Sequence, residues 1–273
     1  MPWLAPEVAA GAPWRTPQSP LRGLVYDKRE PAKAGFAAER SHPGATSVAG
    51  AGVPNRCEHE EAMHMIDAQH PLGRWQPWNP YEVAAFFANL PVPWWIAGGW
   101  AIDLFLGRQT REHEDIDVLL LRRDNLAVRA LLGLWDVQAA LPPPRDETWP
   151  FRPWRRNEAL DETIHDVWCR PDAMQPWAIQ LMIADTRDGL WLFRRMPTIS
   201  RSVATIGETT PEGVPYLAPE IQLLYKARGL RPKDEADFWQ TLPALSRDRR
   251  VWLRETLLQA HPHHPWLDPL TDD

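Results

Sequence analysis

Residues 94–121 read WWIAGGWAIDLFLGRQTREHEDIDVLLL, and the rest of the chain can be organised around this stretch. Its first four residues form a short apolar run that ends at Gly98 and Gly99, a pattern typical of a buried strand followed by a tight turn. Because glycine has no Cβ, a ligand can approach the backbone closely there. Apolar residues recur at helical spacing over 100–106, and the glycine after them is a suitable helix C-terminus. The stretch therefore predicts a strand, a turn and a helix in succession.

A second predicted strand, Asp115 to Leu121, is polar at its start and apolar afterwards. Residues two apart in a strand point to the same face, so Asp115 and Asp117 present their carboxylates together while Ile116 faces a core. Mg²⁺ prefers hard oxygen ligands and commonly takes one or two carboxylates plus substrate phosphates. Acidic pairs at strand ends are often only solvated, so the metal site is a hypothesis that depends on the surrounding residues.

The composition limits the class of protein. The chain has 273 residues, 44% hydrophobic and 24% charged, which is ordinary for one good-sized globular domain or two small ones. No apolar run reaches the roughly 20 residues of a membrane helix, and no signal-peptide pattern opens the chain. Only two cysteines occur, Cys57 and Cys169, which argues against a disulfide framework. We therefore expect a cytoplasmic protein without a membrane partner.

The net charge of −6 bears on possible partners. A general nucleic-acid binder usually carries a basic face, so nucleic acid is not the expected partner. The acidic balance is compatible with a small cationic acceptor. The oligomeric state does not follow from the sequence.

The remaining pattern predicts an α/β fold. One helix begins after the N-cap Asn79 and another after Asp124. Predicted strands follow at 136–141, 165–170, 177–183, 190–194, 203–206 and 214–217. Pro219, Pro232 and Ser246 open three helices at the C-terminal end. Short connections in the strand region favour antiparallel hairpins.

A glycine pair before a helix, a basic loop and an Asp-x-Asp are much more restrictive together than singly. The matching residues are Gly98–Asp103, Gly107, Arg108, Thr110, Arg111, His113 and Asp115–Asp117. This combination resembles the nucleotidyltransferases of the DNA polymerase β-like superfamily, most of all the aminoglycoside 2''-nucleotidyltransferase and lincosamide nucleotidyltransferase group. A looser match over Tyr216–Lys226 and Arg231–Phe238 is similar to the C-terminal helical part of bacterial relatives.

The resemblance implies the domain organisation. A small mixed sheet with flanking helices would form the nucleotidyltransferase domain at 63–217, followed by a small helical C-terminal lobe at 218–273. The nucleotide would bind between the two parts. Residues 1–62 are rich in Ala, Gly and Pro without a lasting period of 2 or 3.6, so we predict a disordered extension there.

The implied activity is Mg²⁺-dependent transfer of a nucleoside monophosphate from an NTP, with ATP as the expected co-substrate, to a hydroxyl of a small molecule. An aminoglycoside- or lincosamide-like antibiotic is the acceptor that the resemblance suggests. Asp115 and Asp117 would hold the metal and act in catalysis, and backbone N–H groups of Gly98 and Gly99 would contact the triphosphate. The cations expected to neutralise phosphate charge are Arg108, Arg111 and Lys226. His113 could equally contact phosphate or hydrogen-bond within its loop.

The general base is the point at which this chain departs from the superfamily. A third carboxylate usually lies on a later strand, but the aligned position holds Gln180, which cannot take a proton. Asp166, on the preceding strand, and Asp185, at the end of the same strand, are the alternatives. We prefer Asp166, because a hairpin can bring it near the metals, whereas Asp185 points the opposite way. A purely structural role for Asp166 stays equally open.

Two other functions compete with this interpretation. Gln180 favours a nucleotide-binding protein with little catalytic activity, and toxin-like relatives transfer nucleotides to tRNA or protein. Release of pyrophosphate with and without acceptors would distinguish them. The sequence also leads to two structural expectations. Asp103 should face solvent or pair with Arg108. Lys233, Asp234 and Asp237 should form ion pairs within one helix.

Overall fold

The structure is a computed structural model that describes residues 73–142 and 151–271. Residues 70–273 form one compact unit. The predicted extension at 1–62 lies outside the described residues, and the predicted division at residue 217 stays a prediction. None of the helices in the described part is long and apolar enough to cross a membrane.

Six α-helices occur in the described residues. They are α1 (Pro80–Phe87), α2 (Gly98–Leu106), α3 (Asn125–Leu131), α4 (Pro219–Lys226), α5 (Pro232–Thr241) and α6 (Arg247–Ala260). As predicted, the Asn79 and Ser246 side chains cap the starts of α1 and α6. The structure adds a capping box, in which the Glu82 side chain accepts from the Asn79 backbone N–H. Gly107 ends α2 in the left-handed conformation.

The strands form a large mixed sheet and a small antiparallel one. They are β1 (Trp94–Ile96), β2 (Asp117–Leu121), β3 (Asp136–Ala140), β4 (Phe151–Pro153), β5 (Asp166–Arg170), β6 (Ile179–Ala184), β7 (Thr186–Arg187), β8 (Leu190–Leu192), β9 (Ser200–Ser202), β10 (Gly207–Thr209) and β11 (Pro215–Leu217). The order of the eight-stranded sheet is β10-β11-β1-β2-β6-β5-β3-β4, and β7, β8 and β9 form the other sheet. The predicted α/β fold with a mixed sheet and a helical C-terminal part is confirmed.

The centre of the large sheet explains the apolar end of the 94–121 stretch. Strand β2 lies between β1, which is antiparallel to it, and β6, which is parallel. Val118 to Leu121 are fully buried, because both neighbours and the flanking helices cover them. A strand buried on both faces reads as a continuous apolar run.

Three predicted elements differ from the observed ones. Strand β2 starts at Asp117 rather than Asp115. Its pairing with β1 reaches only to Val118, and the last hydrogen bond beyond that pair runs from the Ala97 N–H to the Asp117 carbonyl. The predicted strand at 203–206 is a 3-10 turn over Val203–Thr205, since β9 and β10 on either side take the pairing. Asp124 makes no side-chain cap bond to α3.

Candidate active site

A cavity of about 260 Å³ opens where β2 begins. Strands β2 and β5 and the residues just before β2 supply its acidic groups, and the loops and the α4–α5 region supply its basic ones. Its lining residues are Gly98, Gly99, Arg111, Asp115, Asp117, Asp166, Gln180, Met182, Arg194, Arg195, Gln222, Tyr225, Lys226, Arg231 and Lys233. Most of the residues predicted to carry the chemistry therefore meet in one place.

The carboxylate pair stands at the first turn into β2. The register pairs Asp117 with Gln180 on β6, so the glutamine occupies the strand position beside the acidic pair. Burial, followed by the charges of Asp115 and Asp166, raises the pKa of Asp117 to about 7, against the opposing effect of Lys226 and Lys233. Ionising both carboxylates here is unfavourable because they are buried and repel each other, and a bound cation would offset this repulsion.

Asp166 reaches the same cavity from the neighbouring strand. The β5–β6 hairpin is antiparallel, with Asp166 opposite Met182, and it places Asp166 on the face that carries Gln180. Gln180 Nε2 donates to Asp166 Oδ1 at 3.3 Å, and Arg194 Nη1 lies 3.8 Å from Asp166 Oδ2. The alternative, Asp185, is instead paired with Arg122 at 2.5 Å and does not line the cavity.

The glycine pair is required by protein packing as well as by access. Gly98 has φ +65°, and a Cβ on it would overlap the Asp117 carboxylate. A Cβ on Gly99 would overlap the side chains of Arg111 and His113. The N–H of Gly98 donates to Gln222 Oε1 at 2.8 Å, so it is already engaged by the protein rather than pointing to a ligand. Of the two predicted backbone contacts to triphosphate, the one from Gly98 is therefore already taken within the protein, and the one from Gly99 stays a prediction.

Two buried carboxylates hold three cations of the cavity wall. Asp237 receives both Nε and Nη2 of Arg111 at 3.2 Å and lies 2.8 Å from Lys226 Nζ. Asp234 lies 3.3 Å from the same Nζ and 2.7 Å from Arg231 Nε. Both carboxylate side chains are 1% exposed. The expected ion pairs within α5 are therefore wrong for these two acids, which pair with Arg111, Lys226 and Arg231, all outside that helix.

Asp103 is fully buried, which corrects the expectation that it faces solvent. Its carboxylate accepts the Thr110 hydroxyl at 2.6 Å and contacts His113 Nε2 at 2.6 Å. The His113 ring also lies 4.3 Å from the Trp100 ring. His113 therefore hydrogen-bonds to helix α2 rather than within its own loop, and it does not line the cavity.

Arg108 is the other predicted phosphate ligand that the structure does not bring to the cavity. It is exposed, and its Nη2 contacts Gln240 Oε1 at 3.4 Å. Sequence reasoning in turn missed several lining residues, namely Arg194, Arg195, Gln222, Tyr225, Arg231 and Lys233. Four of these residues lie within the looser C-terminal match, which was the available signal for them, and no motif pointed to Arg194 or Arg195.

Known proteins share the central stretch. The sequence model of the aminoglycoside-2''-adenylyltransferase family matches residues 81–144. A 2''-aminoglycoside nucleotidyltransferase of Escherichia coli is 63% identical over 35 residues, 13% of this chain and 19% of that protein. A lincosamide resistance protein of Staphylococcus haemolyticus is 40% identical over 38 residues, 14% of this chain and 24% of that protein. The resemblance to this group is confirmed.

The matched segments span about a fifth to a quarter of those curated relatives. Among solved structures, the crystal structure of ANT(2'')-Ia with adenylyl-2''-tobramycin is similar at a TM-score of 0.41 and 19% identity, covering 66% of this chain and 95% of that one. Lincomycin-bound LnuA, a lincosamide antibiotic adenylyltransferase, has a TM-score of 0.40 and 17% identity, covering 58% of this chain and 91% of that one.

Proposed function

We propose that this chain transfers a nucleoside monophosphate from an NTP to a hydroxyl of a small molecule, with Mg²⁺ as the cofactor and ATP as the first nucleotide to test. The carrying observation is the cavity in which the carboxylates of Asp115 and Asp117 face the cations Arg111, Lys226, Arg231 and Lys233. Carboxylates suit a divalent ion and the cations suit a triphosphate.

The donor set supports a magnesium site. Within residues 73–142 and 151–271, no three carboxylate, imidazole or thiolate side chains come together as a metal site. The protein would therefore offer Asp115 and Asp117, and phosphate oxygens would supply further ligands, which is the usual arrangement for Mg²⁺. When bound, the ion would neutralise phosphate charge and stabilise the attacking and leaving oxygens.

The reaction forms a bond between the acceptor oxygen and the α-phosphorus and breaks the bond from that phosphorus to the bridging oxygen. Pyrophosphate leaves with the electron pair, and the hydroxyl proton must pass to a base. Lys226 and Arg111 would orient the triphosphate, because Asp237 holds both in place. Asp166 is the proposed base, supported by its position beside the carboxylate pair in a cavity where Gln180 cannot serve.

The test measures pyrophosphate release with Mg²⁺, each of the four NTPs, and a panel of hydroxylated acceptors that includes tobramycin and lincomycin. Asp115→Asn and Asp117→Asn should abolish turnover. Asp166→Asn should lower kcat by about 10²–10⁴-fold while leaving NTP affinity unchanged. Asp185→Asn, which alters an acid outside the cavity lining, is the matched control. Full turnover in either metal-site variant at saturating Mg²⁺ would refute the proposal.

A nucleotide-binding protein with little activity is the second candidate. The observation that favours it is Gln180 paired in register with Asp117, where a third carboxylate would otherwise complete the site. In that case NTP and Mg²⁺ would bind, but no acceptor would release pyrophosphate. Gln180→Asp would then be expected to gain activity if the rest of the site is competent.

A further inference from the structure

The cations of the cavity fall into two groups that come from different parts of the chain. The first group, the phosphate cluster, consists of Arg111, Lys226, Arg231 and Lys233. Its members line the cavity together with Asp115 and Asp117, and the charges of Lys226 and Lys233 oppose the rise in the pKa of Asp117. The triphosphate and metal belong to this side of the cavity under the proposed function.

The second group, the arginine pair, is Arg194 and Arg195 after β8. Arg194 Nη1 lies 3.8 Å from Asp166 Oδ2, and its side chain is 32% exposed. Arg195 Nη1 donates to the carbonyl of Tyr225 at 3.0 Å, and its guanidinium lies 5.8 Å from the ring centres of Phe193 and Tyr225. Arg195 is therefore held by α4, whereas the Arg194 guanidinium lines the cavity as the ion-pair partner of the proposed base.

Positive charge exceeds negative charge on this side. Burial, then the charges of Arg194 and Arg228, lowers the pKa of Arg195. Burial and then Arg194 lower the pKa of His165 against the opposing charges of Asp185 and Asp166, and burial and then Arg195 lower the pKa of His261. In this part of the cavity lining, the carboxylate of Asp166 accompanies the two guanidinium groups of Arg194 and Arg195.

Under the proposed function, the acceptor lies beside the arginine pair. A general base has to be within hydrogen-bond reach of the proton that it takes, so the acceptor hydroxyl has to approach Asp166. Ammonium groups brought there would face two guanidinium groups at short range in a partly buried site. A carboxylate or phosphate would instead match the planar donors of a guanidinium.

Resting on the proposed function, we infer that the acceptor is a hydroxylated small molecule with a carboxylate or phosphate near its reacting hydroxyl, and that Arg194 binds this anionic group. This substrate class differs from the small cationic acceptor with which the net charge of −6 is compatible. Transfer of the hydroxyl proton to Asp166 would neutralise the carboxylate that pairs with Arg194, so the interaction of Arg194 with the anionic group of the acceptor would strengthen as the reaction proceeds.

The experiment compares four hexoses that differ in charge: glucose, glucosamine, glucuronate and glucose 6-phosphate. Calorimetry measures their binding to the full chain loaded with Mg²⁺ and a non-hydrolysable ATP analogue. Glucuronate and glucose 6-phosphate should bind at least about tenfold more tightly than the other two, the effect of one hydrogen bond to a charged group. The two anionic sugars also separate a carboxylate-binding site from a phosphate-binding one.

Arg194→Gln should remove this preference while changing the affinity for the ATP analogue less than twofold. Arg194→Lys should restore part of it, and Arg123→Gln, at an exposed arginine outside the cavity lining, is the control. Equal or tighter binding of glucosamine, no binding of either anionic sugar, or an undiminished preference in Arg194→Gln would each overturn the inference. A large loss of nucleotide affinity in Arg194→Gln would assign the guanidinium to the triphosphate instead. Failure of the wild-type chain to bind the ATP analogue would refute the proposed function itself.

Discussion

Asp237→Asn tests whether the buried carboxylates hold the wall of the cavity together. The substitution keeps the shape of the side chain but removes the charge that faces Lys226 at 2.8 Å and Arg111 at 3.2 Å. Leaving a buried charge without its partner costs about 3–5 kcal/mol. Lys226 keeps Asp234 at 3.3 Å and Arg111 is 24% exposed, so we expect the lower end, about 3 kcal/mol of unfolding free energy.

Thermal and urea unfolding measure this loss. For a domain of this size, about 3 kcal/mol corresponds to a fall in Tm of roughly 6–12 °C. Asp188→Asn is the control, because Asp188 is exposed and its positive φ of 52° suits asparagine equally well. In a double-mutant cycle with Arg111→Gln, the combined loss should be smaller than the sum of the two single losses. A Tm within about 2 °C of the wild type would show that the network contributes little.

Three further predictions use other parts of the structure. Gly98→Ala should lose turnover and about 1–2 kcal/mol of stability, because the new Cβ would overlap the Asp117 carboxylate. Gly107→Ala has the same φ of +65° but no atom within 4 Å of the new Cβ, so it should lose only the stability, and equal activity in the two variants would refute the packing argument. Burial lowers the pKa of His264 below its usual 6.5, so the unfolded chain binds the proton more readily and stability should fall as the pH drops below about 6.5; His264→Asn should lessen this fall between pH 7.5 and 5.5, as measured by urea unfolding at each pH. Burial also raises the pKa of the Cys169 thiol, so in a Cys57→Ser background it should react with a thiol reagent at pH 8 only after unfolding, and rapid reaction of the folded chain would contradict this.

Local patterns predicted the elements well where burial is periodic or continuous. The apolar run of β2, the N-cap at Asn79 and the helices opened by Pro219 and Pro232 depend on neighbouring residues alone. The antiparallel β5–β6 hairpin also followed from a short connection, and it brought Asp166 into the cavity. These features needed no knowledge of distant contacts.

The sequence did not predict features that depend on partners far along the chain. Gln222, which binds the N–H of Gly98, is 124 positions away from it. Asp103 belongs to a helix whose spacing allowed an exposed position, and it is buried because Thr110 and His113 fold back onto it. Such long-range hydrogen bonds leave no periodic signal, so residue type and spacing alone cannot reveal them.

Net charge and local charge lead to opposite expectations for the acceptor. The chain carries −6 overall, which is compatible with a cationic acceptor when charge is considered as a sum. At physiological ionic strength, however, exposed charges are screened beyond about 8 Å, whereas partly buried groups are screened much less. Arg194 lies 3.8 Å from Asp166 inside the cavity, so its charge acts directly where the proposed base must meet the hydroxyl. The acidic surface elsewhere can steer an approaching molecule, but the groups within a few ångströms of the reacting atoms determine which molecule stays bound.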